Sequence, residues 1–212
     1  MDRGARSREE LLDAAERLIA EHGFEVPLRE IAKAAGQRNN SAVNYYFRSR
    51  QDLIDAVVAR RLVPMEGERQ ALLDRMSDEQ MADAHAVLRI LVEPFFHSEG
   101  THYARFLEVV RIRLNKEPQS PAESAWPRIL DALARLVPLR DRTARESRVG
   151  AVATAMFALL ADHERRVEAG DDPRGQERSD SGDEGGADSV EELVTMLAAM
   201  LTAAPVAATM TR

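Results

Sequence analysis

Apolar residues recur at helical spacing along almost the whole chain, and no other feature limits the fold as much. In the first segment Leu11, Leu12, Ala15, Leu18 and Ile19 fall on one face of a helix. Ser7 and Glu10 form an S-x-x-E capping box ahead of that run. Gly23 follows it, the residue that most readily takes the left-handed conformation at a helix C-terminus. The same start signal returns at Ser49/Asp52, Ser77/Gln80, Ser120/Glu123, Thr143/Glu146 and Ser189/Glu192. One such pair is common by chance, but several of them, each opening an apolar periodic run, make a pattern. Pro121 sits at the favoured first helical position, and Pro64, Pro94, Pro138 and Pro205 mark breaks or kinks.

Only 5% of residues are aromatic, and strand-like alternation is hard to find. The expected fold is therefore all-α, with nine helices near 7–22, 28–35, 40–47, 50–75, 78–93, 101–116, 121–137, 144–169 and 189–204. Gly170 to Asp188 is rich in Gly, Asp, Ser and Arg and reads as a mobile acidic loop before the last helix. The absence of cysteine removes disulfides, thiolate nucleophiles and Cys-based zinc sites. The longest run free of both charge and strong polarity, Val149 to Ala161, is too short to span a bilayer, and charges interrupt the first twenty residues. The expectation is a cytoplasmic protein with no membrane partner. A formal net charge of −7 argues, at face value, against a nucleic-acid binder.

Residues 28 to 50 argue the other way. Leu28, Ile31, Ala32 and Ala35 give a short helix with small residues on one face, followed by Gly36. A second short helix runs to Phe47, with Ala42, Val43 and Tyr46 or Phe47 facing inward. Two short helices joined by a tight glycine turn, behind a longer one, make a helix-turn-helix. Asn39, Asn40, Ser41, Asn44 and Tyr45 are all hydrogen-bonding residues, flanked by Arg38, Arg48 and Arg50. Reading a major groove needs a helix end bearing such groups, with cations beside it for phosphates.

The stretch Gly23-Phe24, then Leu28 to Gly36 (LREIAKAAG), then Ser41 to Phe47 (SAVNYYF), then Ser49-Arg50-Gln51-Asp52-Leu53 resembles the DNA-binding domain of TetR-family repressors. There are four departures. The turn after Gly36 is one residue longer, and Val26-Pro27 stands where the family has a Thr cap. Asn44 holds the usual Tyr position, and Arg50 replaces a Lys. The resemblance implies an N-terminal three-helix DNA-binding domain over 1–50 and a helix 50–62 that links it onward. It implies a C-terminal helical ligand-binding and dimerisation domain over 51–212. Carried over residue by residue, Arg50 and Tyr46 look like phosphate anchors, and Asn40, Ser41, Asn44 and Tyr45 like the groove-facing set. Arg38 and Asn39 sit in the lengthened turn. Arg3, Arg6 and Arg8 form a basic arm before the first helix. Phe47 reads better as core.

The remaining helices look like a sensor and a dimer seam. Val152, Met156, Leu159 and Leu160, with Leu193, Leu197 and Leu201, lie at helical spacing on two amphipathic helices. The resemblance makes them the pair that bundles with a second subunit, so that a homodimer meets a near-palindromic double-stranded DNA operator. Phe96, Phe106, Trp126 and Phe157 are candidates for lining an effector pocket, with His97, His102, Arg111 and Arg113 as polar anchors. No cofactor is expected besides a small-molecule effector. Metal and enzyme readings fail on spacing, since His97 and His102 are five apart and no Gly-rich phosphate loop, G-x-S-x-G or H-E-x-x-H occurs. The expected function is a ligand-responsive transcriptional regulator, a repressor by the resemblance, and not an enzyme. The alternatives are a small-molecule-binding helical protein without DNA binding and, last, a helical enzyme.

The charge objection weakens once the charge is located. Residues 1–61 carry 11 basic and 10 acidic side chains, a net of 11 − 10 = +1. Gly170 to Asp188 carry seven acidic and two basic, a net of 2 − 7 = −5. Most of the negative charge is far along the chain from the DNA-reading motif.

Overall fold

The computed structural model describes residues 3–37, 42–97, 102–111, 124–170 and 184–204. All regular structure among the described residues is helical. In chain order the helices are α1 (Arg3–His22), α2 (Leu28–Ala34), α3 (Ala42–Tyr46), α4 (Arg50–Leu73) and α5 (Asp78–Met81). They continue with α6 (Ala84–Phe96), α7 (Tyr103–Val110), α8 (Trp126–Leu136), α9 (Arg142–Ala169) and α10 (Glu184–Thr202).

The expected helix over 78–93 is two helices, because a second cap lies inside it. Ser77 and Gln80 form the capping box in both directions, which opens α5. Asp83 then accepts the backbone N–H of His85 at 3.1 Å and starts α6 afresh. Other start signals shift. Ser49 caps α4 by accepting the N–H of Asp52 at 3.1 Å. Asp141, not Thr143, caps α9, accepting the N–H of Ala144 at 2.7 Å. Ser7 and Ser189 lie inside helices, since α1 begins at Arg3 and α10 at Glu184. Pro64 and Pro94 sit within α4 and α6, which continue through them. Ser120, Pro121, Glu123, Pro205 and residues 171–183 of the expected acidic loop lie outside the described residues.

The chain divides into two compact units. The first holds α1 to α3, α4 as far as Met65, α7, and α9 from Leu160. Its core takes Leu11, Leu12, Ala15 and Ile19 from α1, Ile31 and Ala32 from α2, and Val43 from α3. Leu53, Ile54 and Val57 of α4 and Phe106 and Val110 of α7 complete it. Each of the larger side chains, the alanines aside, contributes about 1.5–3 kcal/mol by leaving water.

The second unit holds the rest of α4, then α5, α6 and α8, α9 up to Leu159, and α10. Here α10 packs on α6 and α8, and α5 on α6. Val87, Leu88 and Leu91 of α6 and Ile129 and Leu133 of α8 are buried.

The supposed dimer residues are corrected at this point. Val152, Met156, Leu160, Leu193, Leu197 and Leu201 are all buried within the chain's own core, and Leu159 is half-buried. Helical periodicity marks a buried stripe but not what buries it. The opposite face carries the exposed apolar side chains, Met196 and Met200 on α10, and α9 exposes the small residues Ala151 and Ala158.

Candidate nucleic-acid interface

The three N-terminal helices are held by turns that glycine makes possible. Gly23 ends α1 at φ +88°, its N–H on the Ile19 carbonyl at 2.9 Å. Gly36 ends α2 at φ +67°, its N–H bonding the Lys33 carbonyl at 3.0 Å. The N–H of Gln37 reaches the Ala32 carbonyl at 3.0 Å, which completes a Schellman cap. A residue with a Cβ is strained at either φ. Pro27 is the N-cap of α2, and it makes no side-chain cap bond. Its carbonyl instead accepts the N–H groups of Glu30 (2.9 Å) and Ile31 (3.3 Å).

The described part of α3 is short, and its two faces differ sharply. Val43 and the following Phe47 are buried, and the N–H of Phe47 bonds the Val43 carbonyl at 2.8 Å. The guanidinium of Arg8 lies 5.4 Å from the Phe47 ring centre, and Arg3, Arg6 and Arg8 belong to α1 itself rather than to an arm before it. Phe47 is core. On the other face Asn44 is exposed and Tyr45 is 83% exposed, with the Tyr46 ring edge-on to Tyr45 at 4.9 Å. An aromatic left so open gains nothing from folding. Arg6 is also exposed, 3.9 Å from Glu10. Arg38, Asn39, Asn40 and Ser41 lie outside the described residues.

Arg50 has a role the spacing did not reveal. Its guanidinium donates to the Phe24 carbonyl at 2.8 Å and lies 5.7 Å from the Phe24 ring centre. The first residue of α4 is thus tied to the turn before α2. A second tie is a carboxylate hub that sequence reasoning missed. Buried Glu16 of α1 accepts from Arg60 (2.8 Å) and twice from Arg61 (3.0 and 3.2 Å) of α4. Arg60 also reaches Asp13 at 2.7 Å and Glu9 at 3.4 Å. Burial acts to lower the Arg60 pKa, but Asp13 and Glu16 outweigh it and hold the value above the ordinary one. An open groove of about 610 Å³ runs beside the hub, lined by Glu10, Asp13, Glu16, Arg61 and Gly36 among others. The partners are 44 and 45 residues apart, so the only signal was a Glu on the apolar side of α1.

Residues 11–57 match the family described as bacterial regulatory proteins, tetR family. Over this segment the chain is similar to the DNA-binding part of that family. The match runs from within α1 through α2 and α3 to the start of α4. No curated protein matches the chain. Among solved structures, the fatty acid degradation regulator FadR from Bacillus halodurans is 17% identical, covering 93% of this chain and 99% of that one, with a TM-score of 0.51. SmeT, the repressor of a Stenotrophomonas maltophilia multidrug efflux pump, is 20% identical over 92% of this chain and 87% of its own, TM-score 0.49. A TetR-family regulator from Streptomyces coelicolor is 19% identical over 93% and 95%, TM-score 0.44. At these identities the first likeness establishes the fold alone.

In the second unit the expected pocket residues only partly converge. Arg69 is buried, its guanidinium 5.8 Å from each of the Phe95 and Trp126 ring centres, and it donates to the Leu91 carbonyl at 3.1 Å. Phe157 meets Phe95 edge-on at 6.4 Å. Buried Glu66 stands 3.8 Å from Arg69. One Glu66 oxygen accepts the Ser124 hydroxyl (2.7 Å) and the N–H groups of Ala125 and Trp126, the latter at 3.2 Å. Phe96 is half-buried at the end of α6. Phe106 is corrected: it lies fully buried in the first unit, stacked on Tyr103 at 6.3 Å, because α7 turns its apolar face to that core. Of the polar anchors, His97 pairs with Glu68 at 3.2 Å, and Arg113 lies outside the described residues.

Proposed function

We propose that the protein is a ligand-responsive repressor that binds a near-palindromic operator as a homodimer. The observation that carries this reading is the split character of α3. Val43 and Phe47 anchor it in the core, while Asn44 and Tyr45 stand outward with no folding role to occupy them. Asn44 reads base edges, and Tyr45 offers a ring to thymine methyl groups and a hydroxyl to the backbone. Tyr46, Arg50 and Arg6 supply phosphate contacts, with Arg38, Asn39, Asn40 and Ser41 completing the approach. The exposed Met196 and Met200 face of α10 supports a surface that a second copy covers. The Arg69, Trp126 and Phe157 cluster supports an effector site with an apolar lining beside the buried Arg69–Glu66 pair. The effector lowers operator affinity by binding the non-operator conformation better.

The test is fluorescence anisotropy with a duplex from the region upstream of the protein's own gene. Asn44→Ala is expected to lose about 1–3 kcal/mol of discrimination between that duplex and scrambled DNA. Arg50→Ala is expected to weaken both duplexes and lower the salt slope by about one charge. Equal loss on both duplexes for Asn44→Ala sinks its base-reading role. If the unmodified chain binds neither duplex, the small-molecule-binding alternative replaces this one.

A further inference from the structure

The first turn of α7 is capped by carboxylates that belong to two other helices. The opening N–H groups of a helix have no partner within it and need acceptors from outside. His102, the N-cap residue of α7, makes no side-chain cap bond. Its backbone N–H instead bonds Glu16 of α1 at 3.3 Å, the same carboxylate that holds Arg60 and Arg61 of α4. Further along the turn, the N–H groups of Ala104 and Arg105 bond Glu164 of α9 at 2.9 and 3.0 Å. The Arg105 side chain reinforces that side, 3.7 Å from Glu164 and 2.6 Å from Glu168. Its guanidinium also faces the His102 ring nitrogen Nδ1.

These are charge-assisted bonds, the strongest kind available at a helix end. All of them lie within the first unit, so α1 and the last turns of α9 grip one turn of one helix from two sides. A shift of α9 here either drags α7 and then α1, or breaks several such bonds.

We propose that this doubly capped turn is a strut through which α9 sets the position of α1, making Glu16 and Glu164 positioning residues for DNA reading. The DNA half of this proposal rests on the reading of α3 given above; the mechanical half does not. Because α9 runs from the second unit into the first, the strut gives an event in the second unit a covalently continuous path toward the motif.

The experiment is native-state hydrogen exchange by mass spectrometry on the full chain, following peptides of α1 to α3. Glu164→Ala is expected to speed exchange in α1 about fivefold or more, the lower end of typical site-to-site coupling. Glu168→Ala, which removes only a side-chain partner of Arg105, is expected to leave α1 unchanged. Glu164→Gln keeps one acceptor oxygen and is expected to restore part of the protection; it also serves if the alanine variant fails to fold. Faster exchange confined to α7 and α9 overturns the strut, as does an equal effect of Glu168→Ala. In the anisotropy assay Glu164→Ala is expected to weaken the upstream duplex by a similar factor with the salt slope unchanged, since no cation is lost. A lowered slope overturns its positioning role. If the unmodified chain binds no DNA, the reading of α3 falls and the exchange result alone decides the strut.

Discussion

Each unit buries a carboxylate that caps a neighbouring helix, yet the two carboxylates live in different surroundings. Glu66 of the second unit caps α8 and faces one cation, Arg69, between two aromatic rings. Glu16 of the first unit caps α7 and faces two arginines, beside a groove open to solvent. The difference is one of replaceability. Both carboxylates are buried, but the cation facing Glu66 is buried too, with Arg69 2% exposed. The cations facing Glu16 reach solvent, Arg60 at 18% and Arg61 at 27% of their side chains, and Arg60 has Asp13 and Glu9 to fall back on. A dry hub fixes one arrangement, whereas a hub at the edge of water can exchange partners at lower cost.

The sharpest way to break this comparison is to remove the dry carboxylate. Glu66→Ala strands the buried Arg69 charge and uncaps α8, and is expected to cost about 3–5 kcal/mol in urea unfolding. Joint replacement by Glu66→Gln and Arg69→Met leaves no stranded charge and is expected to recover most of that loss. A loss under about 1 kcal/mol for Glu66→Ala would mean that water reaches this hub too. The wet hub comes next. Glu16→Ala is expected to cost about 2 kcal/mol, the range for losing hydrogen bonds to charged groups whose other partners can be resolvated. An equal or larger loss than for Glu66→Ala would erase the distinction.

Both hubs also show what the sequence could and could not reveal. Local signals were legible because their physics is local. The Ser77/Gln80 box, the Ser49 cap, the Gly36 turn and the apolar stripe of α1 each need only a few consecutive residues, and each stands where the spacing put it. The set of residues from Gly23 to Leu53 that resembles a family was legible for the same reason. Pairings across tens of residues were not. Glu16 with Arg61, Arg50 with Phe24 and Arg69 with Trp126 depend on which helices meet, and no spacing rule encodes that. The dimer stripe failed differently. Val152, Met156 and Leu197 were correctly read as buried positions, but periodicity does not say whether a chain buries them against itself or against a second copy.

The smallest expected effect sharpens the comparison within the first unit, because Glu164 is the counterpart of Glu16 across the α7 turn. Burial pushes the Glu164 pKa above the ordinary carboxyl value, and the nearby Glu16 carboxylate adds to that rise. The N–H groups of Ala104 and Arg105 and the Arg105 charge pull it down without fully offsetting burial. The folded chain therefore holds this proton over a window, just above the ordinary carboxyl value, in which the unfolded chain has released it. Stability from this group is full below the window and declines as pH rises through the folded pKa. Taken as the difference between the unmodified chain and Glu164→Gln in urea unfolding, it is expected to fall with pH across the mildly acid range. The slope cannot exceed about 1.4 kcal/mol per pH unit, the limit for one proton. A difference that rises with pH would mean the caps and Arg105 dominate over burial.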